Sequence, residues 1–191
     1  MVKGALSRPH TIGVDDAPFE KRQPGPVPIV AVAMEGHALI ESVALGEFPV
    51  DGEGAAEYLA TWIGGLRTRP MLQAVILGGI TIAGLGIIDV TALAERLGLA
   101  VLVVTRHNPA RSELADALKA AGLPDRFALL ERIPRAYGVG EGLYLAHAGV
   151  SRVEAERLLT ATLGKARLPE PLRVAHLLGQ AIVLRESRGR V

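Results

Sequence analysis

Apolar residues recur along the chain in two patterns, one typical of strands and one typical of helices. Short apolar or alternating runs predict strands, at residues 11–19, 29–36, 38–48, 74–77, 99–105 and 142–150, and a strand or extended segment at residues 126–133. Helical spacing or capping residues predict helices, at residues 52–69, 89–98, 111–122, 151–164 and 168–189. The order is therefore a group of three strands followed by alternating helices and strands.

Two of the helices carry clear end signals. Asp89 is a typical N-cap residue and Gly98 a typical helix stop, so residues 89–98 have a complete helix signature. Ser151 is followed three residues later by Glu154, which is the spacing of a capping box.

This order predicts an α/β fold in one domain spanning residues 1–191. Residues 29–36 and 38–48 flank a Gly-His turn, which predicts an antiparallel hairpin. Residues 74–77 and 99–104 are continuous apolar runs, as buried parallel strands are, and we expect both to run parallel to the first strand. The prediction is a mixed sheet, with an antiparallel three-strand meander plus parallel strands, flanked by helices.

Composition restricts the class of protein. The chain is 49% apolar with a net charge of +1, and no stretch approaches the roughly 20 apolar residues of a membrane span. The first residues lack the apolar core of a secretory signal, and the absence of cysteine excludes disulfides and thiolate metal sites. These features predict a soluble cytoplasmic protein with no global attraction to nucleic acid or anionic lipid. Abundant arginine and few thermolabile side chains suit a thermophile, although a GC-rich genome gives the same arginine bias.

The end of the buried run at 74–77 lacks a functional side chain. In α/β proteins this point, where a buried strand passes into its loop, is where chemistry is usually placed. Here it carries Gly78 and Gly79. The glycines have neither the spacing nor the lysine of a phosphate-binding loop, so that function is not supported.

Four acidic residues lie at element ends. Asp15 and Asp16 end the first predicted strand, and one of them could bind a hard metal ion, although capping a turn before Pro18 is the more common role. Successive strand side chains point to opposite faces, so both reach one site only if the strand bends. Asp51 and Glu53 precede a predicted helix. They could be metal ligands, but the spacing favours the roles of N-cap and first-turn acid of that helix.

Basic side chains follow the run at 99–105. Arg106 and His107 could contact phosphate, and a solvated loop pair fits the sequence equally well. His147 and His176 lie among apolar residues, where a packed, hydrogen-bonded histidine is more usual than a ligand.

Four short segments together resemble endonuclease V, and more closely an uncharacterised, mainly archaeal family of its homologues. The segments are "VDDAPF", "FPVDG", "GGITIAG" and "LPEPLRVAH". Each is weak by itself, but their order is specific, and the resemblance runs from about Thr11 to Gln180.

The resemblance implies an RNase H-like fold and a metal-dependent endonuclease that cleaves nucleic acid, DNA or RNA, near a deaminated base. Asp15 matches the metal-binding aspartate of the first strand, Asp51 is the nearest match to the second acid, and Asp16 is a spare ligand. A third acid is expected where this chain has Gly78, so the resemblance implies a vacated ligand position and weak binding of Mg²⁺ or Mn²⁺.

Two further features of endonuclease V bear on this chain. The proline-tyrosine wedge that endonuclease V inserts at the lesion is missing here, whereas Arg106 lies near the position where that enzyme has a basic residue after its next strand. Two alternatives to an active nuclease stay open: a non-catalytic protein that binds nucleic acid, and an interaction or small-ligand module with no nucleic-acid partner.

Overall fold

A computed structural model describes residues 8–21, 25–108, 111–140 and 142–188. The strands are β1 His10–Asp16, β2 Val27–Glu35, β3 Leu39–Phe48, β4 Ala74–Leu77, β5 Thr81–Ile82, β6 Gly86–Ile87, β7 Ala100–Thr105, β8 Tyr137–Gly138 and β9 Tyr144–Ala148. The α-helices are α1 Ala55–Gly64, α2 Val90–Leu97, α3 Arg111–Ala120, α4 Phe127–Arg132, α5 Arg152–Thr162 and α6 Glu170–Leu184. Short 3-10 helices span Arg69–Met71 and Pro124–Arg126.

The main sheet has the strand order β3-β2-β1-β4-β7-β9-β8. β1, β2 and β3 pair antiparallel as a meander, and β4 and β7 run parallel to β1. β9 pairs antiparallel with β7. The predicted mixed sheet and its parallel strands are confirmed.

Both faces of the sheet are covered by helices. One face packs α1 and α2 against buried side chains that include Ile12, Val75 and Val101. The other face packs α5 and α6 against Ile76 and Leu102. Burial on both faces explains why β4 and β7 are continuous apolar runs in the sequence.

A separate two-stranded sheet, β5 with β6, lies beyond the end of β4. Its buried residues Leu85 and Ile87 pack with Leu118 of α3 and with Leu130 and Ile133 at the end of α4. This small cluster joins the β5–β6 hairpin to the segment that contains α3 and α4.

The strand or extended segment predicted at residues 126–133 is wrong. These residues form the end of a 3-10 helix followed by α4. Their buried apolar positions, Leu130 and Ile133, are three apart and face Leu118 of α3. In so short a run, the apolar spacing of a helix cannot be told from that of an extended segment, and packing against α3 selects the helix.

The helix predicted at residues 52–69 ends at Gly64, and its capping interpretation is wrong. The N-cap is Gly54, with a φ of 70° and no side-chain cap, so neither Asp51 nor Glu53 caps α1. By contrast, Asp89 accepts a hydrogen bond from the Ala92 N–H and caps α2, as predicted. Ser151 likewise accepts from the Glu154 N–H at 3.3 Å and caps α5.

Among the helices that the structure describes, each is too short or too polar to cross a lipid bilayer.

Candidate functional site

Asp15 and Gly78 lie side by side at the carboxyl ends of β1 and β4. The register of these parallel strands pairs Val14 with Leu77, which places the next residue of each chain at the same edge of the sheet. A Cβ built on Gly78 would lie 3.8 Å from Oδ1 of Asp15. The strand end without a functional side chain therefore adjoins the carboxylate.

His176 of α6 contacts the same carboxylate. Its Nδ1 lies 2.7 Å from Oδ2 of Asp15, and the two side chains keep 36% and 21% of their exposure. Glycines make this close approach possible, because a Cβ on Gly13 would overlap the backbone of Pro171, and one on Gly179 would lie 3.1 Å from the Ala17 Cα. α6 therefore lies directly on β1 on both sides of the contact.

The hydrogen bonds of His176 select the tautomer that its neutral imidazole takes. Nδ1–H donates to Asp15, and Nε2 accepts at 3.0 Å from the side-chain amide of Gln180. The amide oxygen of Gln180 accepts in turn from the Arg188 N–H, which fixes its orientation. The hydrogen bond to Asp15 raises the pKa of His176, partial burial opposes the rise, and the positive charge of Arg106 also lowers it.

Asp16 lies in the pocket beside Asp15. This pocket of about 200 Å³ is also lined by Gly78, Gly79 and Thr81. Burial raises the pKa of Asp16, and the neighbouring charge of Asp15 raises it further, while the hydrogen bond that Oδ2 accepts at 2.8 Å from the Ala83 N–H lowers it. Two carboxylates in one pocket, one of them with a raised pKa, are an arrangement that a cation stabilises.

Asp51 does not line this pocket. Its Oδ1 accepts at 2.7 Å from the N–H of Leu85, in the turn between β5 and β6, and its own N–H donates to the carbonyl of Ala83. Within residues 8–21, 25–108, 111–140 and 142–188, no three His, Asp or Glu side chains are grouped to hold a metal ion.

Arg106 and His107 line a groove on the other side of Asp15. This groove has a volume of about 430 Å³ and is also lined by Gly78 and His176. Asp15 thus lies between a pocket that contains a second carboxylate and a groove that contains basic side chains. The structure brings together the predicted residues Asp15, Asp16, Gly78, Arg106 and His107.

A third cavity, of about 290 Å³, adjoins the carboxylate pocket and shares Gly79 and Thr81 with it. Its walls are mainly apolar and come from β7, from β9 and from residues 111–136, with Leu114, Ile133 and Ala136 among them.

The donor set suits a hydrated divalent cation. Mg²⁺ typically keeps several waters and is bound through one or two carboxylates together with substrate phosphates. Asp15 and Asp16 supply two carboxylates at one pocket, and Oδ1 of Asp15 is the oxygen not engaged by His176. This set fits such an ion, whereas a cation surrounded entirely by protein ligands would need more donors.

Sequence reasoning missed His176. It lies 161 residues from Asp15 along the chain, within an apolar helix that suggested a packed histidine. One signal was available: His176 ends the segment "LPEPLRVAH", one of the four that carry the family resemblance.

Comparisons with known proteins show which family the chain resembles. The model of the family described as Endonuclease dU matches residues 7–183. A UPF0215 protein of Methanothermobacter thermautotrophicus is 33% identical over 182 residues, covering 93% of this chain and 89% of that protein.

Solved structures give the same picture for the fold. The crystal structure of a protein of unknown function from Archaeoglobus fulgidus superposes with a TM-score of 0.84 at 27% identity, covering 92% of this chain and 98% of that one. Endonuclease V of Ciona intestinalis, in complex with a DNA that contains an inosine followed by a ribo-adenosine, gives a TM-score of 0.55 at 14% identity over 88% of this chain and 82% of that one. At this identity the second likeness shows the fold alone.

Proposed function

Because the chain belongs to the Endonuclease dU family, we propose that it is a metal-dependent endonuclease that cleaves nucleic acid beside a deaminated base, with deoxyuridine as the first substrate to test. Family membership and the fold shared with endonuclease V confirm the resemblance found in the sequence. The name of the family and the inosine-containing DNA bound by the Ciona enzyme both support a deaminated base in the substrate.

One observation carries the proposal, namely the surroundings of Asp15 at the end of β1. His176 contacts one oxygen of this carboxylate, and Asp15 lines both the pocket on one side and the groove on the other. In open α/β sheets, ligands bind outside the carboxyl ends of the strands. A buried structural ion pair would need no such access.

Asp15 and Asp16 would hold the cation. Bound Mg²⁺ or Mn²⁺ would activate water and neutralise charge on the phosphate. His176 is within hydrogen-bond reach of Asp15, which orients the imidazole, and its pKa is raised by that contact. It is therefore suited to hold or move a proton at its Nε2 once Gln180 releases that atom.

Arg106 and His107 would bind the backbone of the nucleic acid. Both line the groove that opens beside Asp15, where contacts to phosphate fix the position of the strand. Their arrangement supports a nucleic-acid partner in a chain whose net charge is only +1.

The adjoining apolar cavity would receive the altered base. Its volume of about 290 Å³ lies at the lower end of the range for ligand pockets, which suits a single base. Enzymes that act on one base often extrude it from the stack into such a pocket.

Filling the cavity by Ala136→Phe should reduce cleavage at deoxyuridine and leave Mn²⁺ binding unchanged. Equal loss of both properties would contradict this assignment.

The direct test uses matched oligonucleotides that carry one deoxyuridine, one deoxyinosine or only ordinary bases. We expect Mg²⁺- or Mn²⁺-dependent cleavage of a modified strand, abolished by chelation and by Asp15→Asn, but retained in Glu57→Gln, whose surface carboxylate pairs with Arg96. Cleavage that survives both chelation and Asp15→Asn would contradict the proposal.

Gly78 favours a second candidate, a non-catalytic protein that binds nucleic acid, because the expected third acid is absent from the site. This alternative predicts binding of the same oligonucleotides with a steep dependence on salt but no cleavage with any divalent cation.

A further inference from the structure

The turn between β5 and β6 is held by side chains from three other parts of the chain. Its residues Ala83 and Gly84 have φ values of 50° and 95°, and Ala83 is fully buried. A non-glycine residue in the left-handed region is unfavourable, so such a turn persists only when its surroundings hold it. The β5–β6 turn, residues 83–85, therefore depends on contacts with other parts of the chain.

Asp51 binds the turn at two points. Its carboxylate accepts from the Leu85 N–H at 2.7 Å, and its own N–H donates to the Ala83 carbonyl at 2.9 Å. Gly84 is required between them, since a Cβ at that position would collide with Oδ1 of Asp51. The carboxylate that the sequence suggested as a ligand is thus engaged by the backbone.

Arg126 closes the same arrangement from the side of α4. Its guanidinium is buried and donates to the carbonyls of Leu85 and Asp51, both at 2.7 Å. The planar fork of arginine suits two acceptors at once. The carboxylate of Glu53 lies 3.7 Å from Nη2 of Arg126, but the Glu53 side chain is 85% exposed. The main partners of Arg126 are therefore the two carbonyls.

Asp16 joins this arrangement to the site. Its Oδ2 accepts from the Ala83 N–H at 2.8 Å, and its carboxylate lines the pocket beside Asp15. Any movement of the turn therefore moves the hydrogen-bond donor that orients Asp16.

We propose that Asp51 and Arg126 are positioning residues, which hold the β5–β6 turn against Asp16 and thereby keep two carboxylates at the pocket. The proposal rests on the proposed function in one respect, namely that the pocket beside Asp15 holds a divalent cation. It assigns Asp51 a role through the backbone of the turn, in place of direct contact with a cation.

The test separates these roles because asparagine keeps the acceptor oxygen of Asp51 and loses its charge. Amide hydrogen exchange at Leu85 reports on the turn, and Mn²⁺ titration reports on the pocket. We expect Asp51→Asn to retain both properties. We expect Asp51→Ala to speed exchange at Leu85 about tenfold or more, because the Leu85 N–H loses its acceptor. The same variant should weaken Mn²⁺ binding about tenfold, as for loss of a group that orients a ligand.

Three further variants complete the comparison. Arg126→Met should act in the same direction as Asp51→Ala, and Glu53→Gln, in the same loop as Asp51, should change neither property. Asp15→Asn should weaken Mn²⁺ binding without changing exchange at Leu85. The Asn variant also keeps the proposal testable if Asp51→Ala does not fold.

Two results would overturn the proposal. If Asp51→Asn loses Mn²⁺ binding as strongly as Asp15→Asn while Leu85 stays protected, Asp51 is a ligand. If Asp51→Ala and Arg126→Met leave exchange at Leu85 unchanged, these side chains do not hold the turn. If the wild-type protein binds no Mn²⁺, the metal part of the proposed function fails, and the exchange measurement alone decides whether Asp51 and Arg126 hold the turn.

Discussion

At the scale of single residues, Gly78 is the position at which the site can be changed most simply. Its φ lies outside the left-handed region, and a Cβ there would make ordinary contacts, 3.5 Å from Cδ1 of Leu172 and 3.8 Å from Oδ1 of Asp15. We therefore expect Gly78→Asp to fold and to strengthen Mn²⁺ binding, because it adds an oxygen ligand and a negative charge.

Gly78→Asn is the matched control, since it adds a side chain of the same size without the charge. Mn²⁺ titration and thermal unfolding of both variants separate the gain in affinity from any loss of stability. Unchanged Mn²⁺ affinity in a stably folded Gly78→Asp variant would tell against a vacated ligand position.

The contact between His176 and Asp15 predicts a pH-dependent stability. The pKa of His176 is raised in the folded protein, chiefly by its hydrogen bond to Asp15, so the folded state binds this proton more tightly than the unfolded chain. The resulting stabilisation is complete below the ordinary pKa of about 6.5 and is lost as pH rises through the raised value.

Melting temperature measured across this pH range in the absence of divalent cations should therefore fall on the alkaline side. His176→Gln should remove that part of the dependence. An identical pH profile for the variant and the wild type would show that the contact does not influence the proton on His176.

At the scale of elements, the close contact of α6 with β1 brings His176 to Asp15. Gly13→Ala should force α6 away, because its Cβ would overlap the backbone of Pro171, and we expect a loss of about 1–3 kcal/mol in the free energy of unfolding. Urea denaturation measures this loss directly.

Gly64→Ala is the control for the Gly13 variant. Gly64 is the last residue of α1, and a Cβ there meets no atom within 4 Å, so this substitution should be neutral or stabilising by up to roughly 1 kcal/mol. Equal unfolding free energies for Gly13→Ala and the wild type would mean that α6 moves without cost.

At the scale of the whole molecule, binding of nucleic acid should depend on the groove beside Asp15 rather than on overall charge. The net charge of +1 gives little long-range attraction. Arg106→Gln should reduce the slope of log affinity against log salt by about 1. Arg157→Gln, on the exposed face of α5 and paired with Glu154, should leave the slope unchanged. Equal slopes for all three proteins would remove Arg106 from the interface.

Most elements of the fold could be predicted from sequence. Burial repeats every three or four residues in helices, and strands covered on both faces are continuous apolar runs. The continuous apolar runs at β4 and β7 indicated parallel central strands, and Asp89 with Gly98 marked both ends of α2. The error at residues 126–133 arose because six residues of helix contain too few turns to show their period. The single domain, the cytoplasmic location and the thermophilic source stay predictions.

That Asp15 and Gly78 lie side by side could be predicted from the order of elements and the family resemblance, because parallel neighbouring strands bring their carboxyl ends to one edge of the sheet. What each acid contacts became visible only in the packing of the whole chain. His176 reaches Asp15 from the last helix, while Asp16 and Asp51 bind two N–H groups of a turn that is distant from both along the chain. Periodicity reports which face of an element is buried, whereas the partner of a polar side chain depends on how loops and helices cross in space.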